Sequence, residues 1–473
     1  MSSYPDIWLW TVVWLVAAAF TVYRNWRAGH GVGLVLGYVA SFAALHWMST
    51  LLYLVPWFHG TQRAWVAEGM RLSAIAMVAL AVGAEFATWF GRRRTAHAPA
   101  VAVDDDEPAE EGSPDEDADE LPTIAPSVIN AYLIVGFVLQ VFVGPIARGI
   151  PGMSAIAGTG SAFIVTGVGL KCWNAWQEGR PSTVWFWLAG TLTLPLLTVT
   201  TQGYLGYGMA ALMTIFAFVV AFYEPRWKVA VVSLLLAYIG LSVYVTYMRD
   251  RLEIRELVWG GSRMSDRTDR VLGTLSEVEW FDPYNPRHLD RIDVRLNQNL
   301  LVGAAVKHVG EGVVPFASGA TVYDAVLSVI PRALWPNKPM SAGSGDLVSI
   351  YTGLKFMGET SVGVGHVLEW YVNFGMRGIV GGFVLMGILI ATFDRSAAAA
   401  LHRGDPVRFA LWYLPGLSLL NLGGSFVEST ASAAASLLMA LMVSRLVGYM
   451  PGAVRITTPR LSSAEPGDSE ARF

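Results

Sequence analysis

The chain is short of charge and of cysteine, and it has no loop of the kind that cradles nucleotides. Only 15% of its 473 residues are Asp, Glu, Lys or Arg, against about 25% in soluble domains. That shortfall excludes an ordinary soluble surface. Its single cysteine, Cys172, excludes an internal disulfide framework. No Gly-rich phosphate loop of the nucleotide-binding type is present. No Asp-x-Asp-like pair stands out in the long polar stretch, and no His/Cys set has metal spacing. No cofactor, metal or nucleic-acid partner is therefore expected.

What remains is apolar. Hydrophobic residues make up 53% of the chain and mean hydropathy is +0.45. A spanning helix needs about 20 mostly apolar residues, and eleven such runs are predicted. They lie near 6–23, 33–55, 65–90, 127–145, 153–172, 183–200, 204–222, 229–248, 376–394, 408–422 and 430–447. The first run is full length and lacks a basic n-region and a cleavage site, so it reads as a spanning helix, not a cleavable signal. "TVTTQGYLGYG", between the sixth and seventh runs, reads as a tight turn or a broken helix. The expected fold is an all-α polytopic membrane protein with one large extracytoplasmic loop.

Short-loop charge sets the expected orientation. Arg24 and Arg27 follow the first run, Arg92–Arg94 the third, Lys171 and Arg180 the fifth, and Arg226 and Lys228 the seventh. Arg395, Arg403 and Arg408 follow the ninth and Arg445 the last, while the intervening loops hold few cations. The N-terminus is thus expected outside and the C-terminus in the cytoplasm. The chain divides into helices 1–3 (1–95), an acidic linker (96–126), helices 4–8 (127–248), the large outer loop (249–362), an outer segment with helices 9–11 (363–448) and a tail (449–473). Residues 104–120 hold eleven acids and no base, and removing those eleven turns the net charge of −4 into +7. The linker is expected to be a solvated, disordered cytoplasmic segment.

Three polar groups on the expected outer side could carry chemistry. Arg249, Arg251 and Arg255 interleave with acids where the eighth helix leaves the membrane, and Arg287, Arg291 and Arg295 recur at four-residue spacing. Either set is a salt-bridged helix face or a phosphate clamp, since guanidinium binds phosphate bidentately. Next comes "IPRALWPNKP", whose prolines forbid a regular helix. It puts Arg332, Trp335 and Lys338 at headgroup level. In "VGHVLEWYVNFGMRG", His366, Glu369 and Asn373 form one helical stripe that Arg377 could extend, with a break expected at Gly375 or Gly378. Glu369 or His366 is a candidate general base. Glu428 in "GGSFVEST" is a weaker candidate.

"IPRALWPNKP", followed some 30 residues later by "LEWYVNFGMRG", resembles segments of the Wzy-type O-antigen and exopolysaccharide repeat-unit polymerases. Those proteins carry Pro-Arg-x-x-Trp-Pro-x-Lys-Pro and then Gly-Glu-x-Tyr-x-Asn-Phe-Gly-x-x-Gly, with Leu368 here standing where the family often has Gly. "VRLNQNL" is similar to the family's upstream Arg-x-Asn segment and places Arg295 there. The resemblance implies a GT-C-like membrane glycosyltransferase of the bacterial inner membrane. It would move a growing glycan from polyprenyl diphosphate onto a new lipid-linked repeat unit on the outer face. Arg332, Lys338, Arg295, Arg249 and Arg251 would hold the diphosphate. Glu369 or His366 would act on the acceptor, and Trp335, Tyr371, Asn373 and Arg377 would line the substrate. Expected partners are the lipid-linked oligosaccharide and membrane lipids, with a chain-length regulator and a flippase of the same pathway. The alternatives are an O-antigen ligase-like transferase and a transporter of lipid-linked saccharide.

Overall fold

The computed structural model describes residues 7–29, 31–60, 62–96, 123–147, 153–223, 226–331, 334–335, 337–339, 341–356 and 362–448. The acidic stretch 104–120 and the tail after residue 448 lie outside the described residues. Among those described, the chain is helical throughout, with no strand.

The first eight helices are α1 (Ile7–Ala28), α2 (Leu34–Leu52), α3 (Arg63–Ala96), α4 (Pro126–Val143), α5 (Met153–Gln177), α6 (Pro181–Gln202), α7 (Leu205–Phe222) and α8 (Arg226–Trp259). A π-helical turn, Ala43–Trp47, interrupts α2. Five shorter helices follow, α9 (Met264–Ser276), α10 (Pro286–Leu296), α11 (Gln298–Gly310), α12 (Ala320–Ser328) and α13 (Ser344–Thr352). The chain ends with α14 (His366–His402), α15 (Pro406–Ser418) and α16 (Phe426–Gly448).

Ten helices are long and apolar enough to cross a bilayer: α1 to α8, α14 and α16. This is the make-up of a multi-pass membrane protein, and large apolar side chains such as Val16, Phe186 and Leu234 face outward from it. The tenth run, 408–422, does not form a spanning helix. α15 has 13 residues, about 20 Å at 1.5 Å per residue, against a hydrocarbon core of about 30 Å. Beyond Ser418 the chain turns through Leu420 and Leu422, both buried, and the Leu422 carbonyl accepts from the His366 N–H at 3.1 Å. Irregular backbone at such a place is satisfied by protein instead of water.

The stretch 249–362 is mostly helical, and part of it is built into the bundle. α11 lies against α3 so closely that a Cβ on Gly303 would stand 1.9 Å from the Trp65 carbonyl oxygen. α14 is two helices joined at Gly375, whose φ of 60° and ψ of −142° break the helix. The break folds the chain back on itself. A Cβ on Gly382 would meet the Trp370 ring at 2.2 Å, a contact that a straight helix cannot make across twelve residues. Gly203, at φ 78°, makes the tight turn between α6 and α7.

Candidate functional site

His366, Glu369 and Asn373 do share one face of α14, and all three are buried. Glu369 Oε2 accepts at 2.7 Å from the N–H of Phe426, the first residue of α16. A helix start presents unsatisfied N–H groups and a positive dipole end, so a carboxylate there is favoured. Glu369 Oε1 makes no hydrogen bond. His366 Nδ1 lies 3.2 Å from the Tyr38 hydroxyl and Nε2 lies 3.4 Å from Ser429 Oγ. Asn373 donates to Thr321 Oγ1 at 2.7 Å and to the Glu369 carbonyl at 2.8 Å, and accepts from the Gly319 N–H at 3.0 Å. It ties the start of α12 to α14. Tyr371 is half-buried beside Phe316. Arg377 lies beyond the Gly375 break and is exposed, so the stripe ends at Asn373.

The start of α16 carries a second carboxylate. Ser425 Oγ accepts from the Glu428 N–H at 3.2 Å, and Glu428 Oε2 accepts from the Ser425 N–H at 3.3 Å, which is a capping box. Glu428 is exposed, and its other oxygen accepts from the Ser344 hydroxyl at 2.6 Å. Two residues on, Thr430 Oγ1 lies 2.6 Å from Ser328 Oγ. Ser328 and Ser344 flank the proline-rich segment, so that segment is a strap with both ends fastened to one turn of α16. Within it Trp335 is half-buried and Lys338 Nζ donates to the Ile330 carbonyl at 3.1 Å. Arg332 lies outside the described residues.

The arginines separate into two kinds. Arg249 is occupied: it bonds Asp250 at 2.8 Å and Glu279 at 3.1 Å, and donates to the Glu277 carbonyl. Arg270 and Thr274 hold Asp250 as well, while Arg291 holds Glu279 at 2.9 Å. This network fastens α9 and α10 to α8. Arg251 and Arg295, by contrast, make no hydrogen bond or ion pair among the described residues. Both lie within electrostatic reach of Arg255 and of the phenols of Tyr244 and Tyr247. Burial draws the Arg295 guanidinium below its ordinary value, and the charge of Arg255 adds to that. Arg255 is fixed by its bond to the Gly203 carbonyl at 3.2 Å and by the rings of Tyr204, 4.6 Å away, and Trp259, 5.3 Å away. Three like charges held together without a carboxylate partner form a place for an anion.

The arginine cluster and the carboxylates border one region. Tyr207, on the first turn of α7, lies within electrostatic reach of both Arg255 and Glu428. From the other side, Gln298, three residues after Arg295, donates to the Gly363 carbonyl at 3.4 Å, just before His366. Beneath this region lies a network invisible in the sequence. Asn299 Oδ1 accepts from Ser73 at 2.8 Å and stands 2.7 Å from His46 Nδ1, while its Nδ2 donates to Thr50 and to the His46 carbonyl, each at 2.8 Å. The "VRLNQNL" segment thus does two things: Arg295 joins the cationic cluster and Asn299 locks α11 into the bundle. Comparison with family models, with curated proteins and with solved structures finds no match to this chain.

Proposed function

We propose that this protein is a membrane glycosyltransferase that polymerises polyprenyl-diphosphate-linked oligosaccharide units on the outer face of the bacterial inner membrane. The observation that carries this reading is the cluster of Arg251, Arg255 and Arg295, held without a carboxylate partner, across Tyr207 from Glu428. A diphosphate leaving group needs such fixed positive charge as its bond to the sugar breaks.

In the proposed step, the acceptor hydroxyl oxygen forms the new bond to the anomeric carbon. The bond from that carbon to the diphosphate oxygen breaks, and its electron pair leaves with the polyprenyl diphosphate. The hydroxyl proton passes to a carboxylate. Glu369 and His366 are fully buried, which suits them to positioning α16. Glu428, exposed on the first turn of α16, is the carboxylate an acceptor can reach, and we assign it the base. Trp335 and Lys338, on the segment fastened at Ser328 and Ser344 beside Glu428, would add to the substrate contacts. Arg249 serves the fold.

The test is purified protein in nanodiscs supplied with a polyprenyl-diphosphate-linked oligosaccharide, the products resolved by chain length. A ladder from the wild type that Arg295→Ala shortens or abolishes supports the reading. Transfer of one block to a terminal acceptor, with no ladder, indicates a ligase-like transferase instead.

A further inference from the structure

Between Gly319 and Ser344 the chain displays a row of apolar side chains. Tyr323, Val326, Val329 and Ile330 recur on one face of α12 and the turn that ends it, and Leu334 follows; all five are exposed. The opposite face, with Thr321 and Ala325, is buried. Asp324, the only charge in α12, lies off the exposed row. An uncharged apolar surface of this kind marks an interaction site, and the partner it fits is itself apolar.

The bonds of α12 fix where the row stands. Thr430 Oγ1 donates to the Ala325 carbonyl at 2.9 Å and lies 2.6 Å from Ser328 Oγ. Thr430 is the fifth residue of α16, one of the helices long and apolar enough to span, so the contact lies about 6 Å along that helix. Further along the same stripe of α16 stand Leu437 and Leu441, both exposed. At the other end of α12, a Cβ on Gly319 would stand 3.3 Å from the Phe374 ring, and exposed Phe374 and Val380 carry the apolar surface onto α14. The row is thus continuous with the outward apolar faces of two spans.

The backbone is fitted to that place. Val329, Ile330, Leu334, Trp335 and Lys338 give their N–H groups to carbonyls of α12 or of the proline-rich segment, and the prolines carry none. Lys338 Nζ donates to the Ile330 carbonyl. Irregular backbone beside lipid needs such internal partners. Half-buried Trp335 suits a membrane–water boundary.

We propose that the end of α12 and the start of the proline-rich segment form an interfacial anchor, with Val326, Val329, Ile330 and Leu334 immersed in the edge of the bilayer hydrocarbon beside α16. Tyr323 and Trp335 then stand at headgroup level. The partner is bilayer lipid, and the anchor is independent of the glycosyl-transfer reading.

The experiment places single fluorophores on the full chain in phosphatidylcholine nanodiscs, through Val326→Cys, Leu334→Cys, Leu437→Cys and Ser265→Cys. Cys172 is buried and stays unlabelled in the folded chain. Leu437 is the lipid-facing control, and Ser265, exposed on α9, is the aqueous one. Each label is quenched in turn by phosphatidylcholine carrying an acyl-chain doxyl group and by aqueous iodide. Labels at 326 and 334 are expected to match position 437, with lipid quenching several-fold above that at 265 and iodide quenching several-fold below it. Iodide quenching at 326 and 334 equal to that at 265 overturns the anchor. Shielding from both quenchers, with disulfide-linked dimers of unlabelled Val326→Cys, overturns it in favour of a second copy of the chain on this face.

Discussion

Glu369 Oε2 accepts a 2.7 Å hydrogen bond from the Phe426 N–H, so the start of α16 is pinned to the first half of α14. That bond links the two carboxylates of the site, because Glu428 stands two residues further along the same helix. Glu369→Gln keeps an acceptor of the same shape and should unfold within about 1 kcal/mol of wild type. Glu369→Ala removes the acceptor and leaves the helix start unsatisfied, a loss of about 2–3 kcal/mol. Thermal unfolding in detergent checks both.

The two kinds of arginine should fail in different ways. Arg249→Ala breaks the links to Asp250 and Glu279, so it should lower stability by about 1 kcal/mol and leave transfer by the folded fraction largely intact. Arg251→Ala and Arg295→Ala break no described contact. Each should cost transfer about 10–100-fold, the loss of one charged hydrogen bond to phosphate, with unchanged unfolding. Loss of transfer with Arg249→Ala at wild-type stability would place that residue in the site after all.

Glu428→Gln should abolish or sharply reduce transfer while retaining the binding of lipid-linked substrate, since the amide keeps the cap but cannot take a proton. Substrate retention and product formation, measured on the same preparation, separate the two effects. A Glu428→Gln enzyme with wild-type transfer would return the base to another residue.

Asn299 satisfies His46, Ser73 and Thr50 at once in a core with no water access. Asn299→Leu should therefore destabilise by about 2–4 kcal/mol, the cost of several orphaned polar groups. A well-folded Asn299→Leu variant at wild-type stability would show that those groups find other partners.

Acid should act through Glu279. Burial alone would raise its carboxyl, but the bonds from Arg291 and Arg249 outweigh it and hold it below the ordinary value. A carboxyl lowered in the folded state contributes stability above its unfolded pKa, and that stability is lost as pH falls through the folded pKa. Asp293 runs the other way: burial raises it above its ordinary value despite bonds from Asn297 and Tyr53. Its contribution is present at low pH and is lost as pH rises through the folded pKa. Unfolding followed from about pH 6 to 3 should show a steeper acid loss in wild type than in Glu279→Gln. Asp293→Asn should gain relative stability toward neutral pH.

Much of this architecture is legible along the chain because its signals are local. Apolar runs mark the spans, spacings of three and four residues mark the His366–Glu369–Asn373 stripe, and Gly375 marks the break. α15 misleads because 408–422 is as apolar as a span, while Pro415 and "NLGG" end the helix early. The arginines are legible as cations but not as paired or unpaired. Arg249 finds Glu279 thirty residues on, whereas Arg255, on the same face as Arg251, is held by a carbonyl fifty-two residues back. His46 and Asn299 meet across 253 residues, and Asp394 reaches the start of α2 across more than 350. One polar residue in an apolar run names no partner at such separations. Glu428 carried a local signal, Ser-x-x-Glu before an apolar run, which identifies a helix cap and says nothing of the neighbouring cations.

The most direct test of the central claim is the chain-length distribution made from a lipid-linked oligosaccharide in nanodiscs by wild type and by the Arg251→Ala/Arg295→Ala double variant. The expected result is a ladder from the wild type and unreacted substrate from the double variant, with equal thermal stability in the two. A full ladder from the double variant would contradict the assignment of these arginines to the diphosphate.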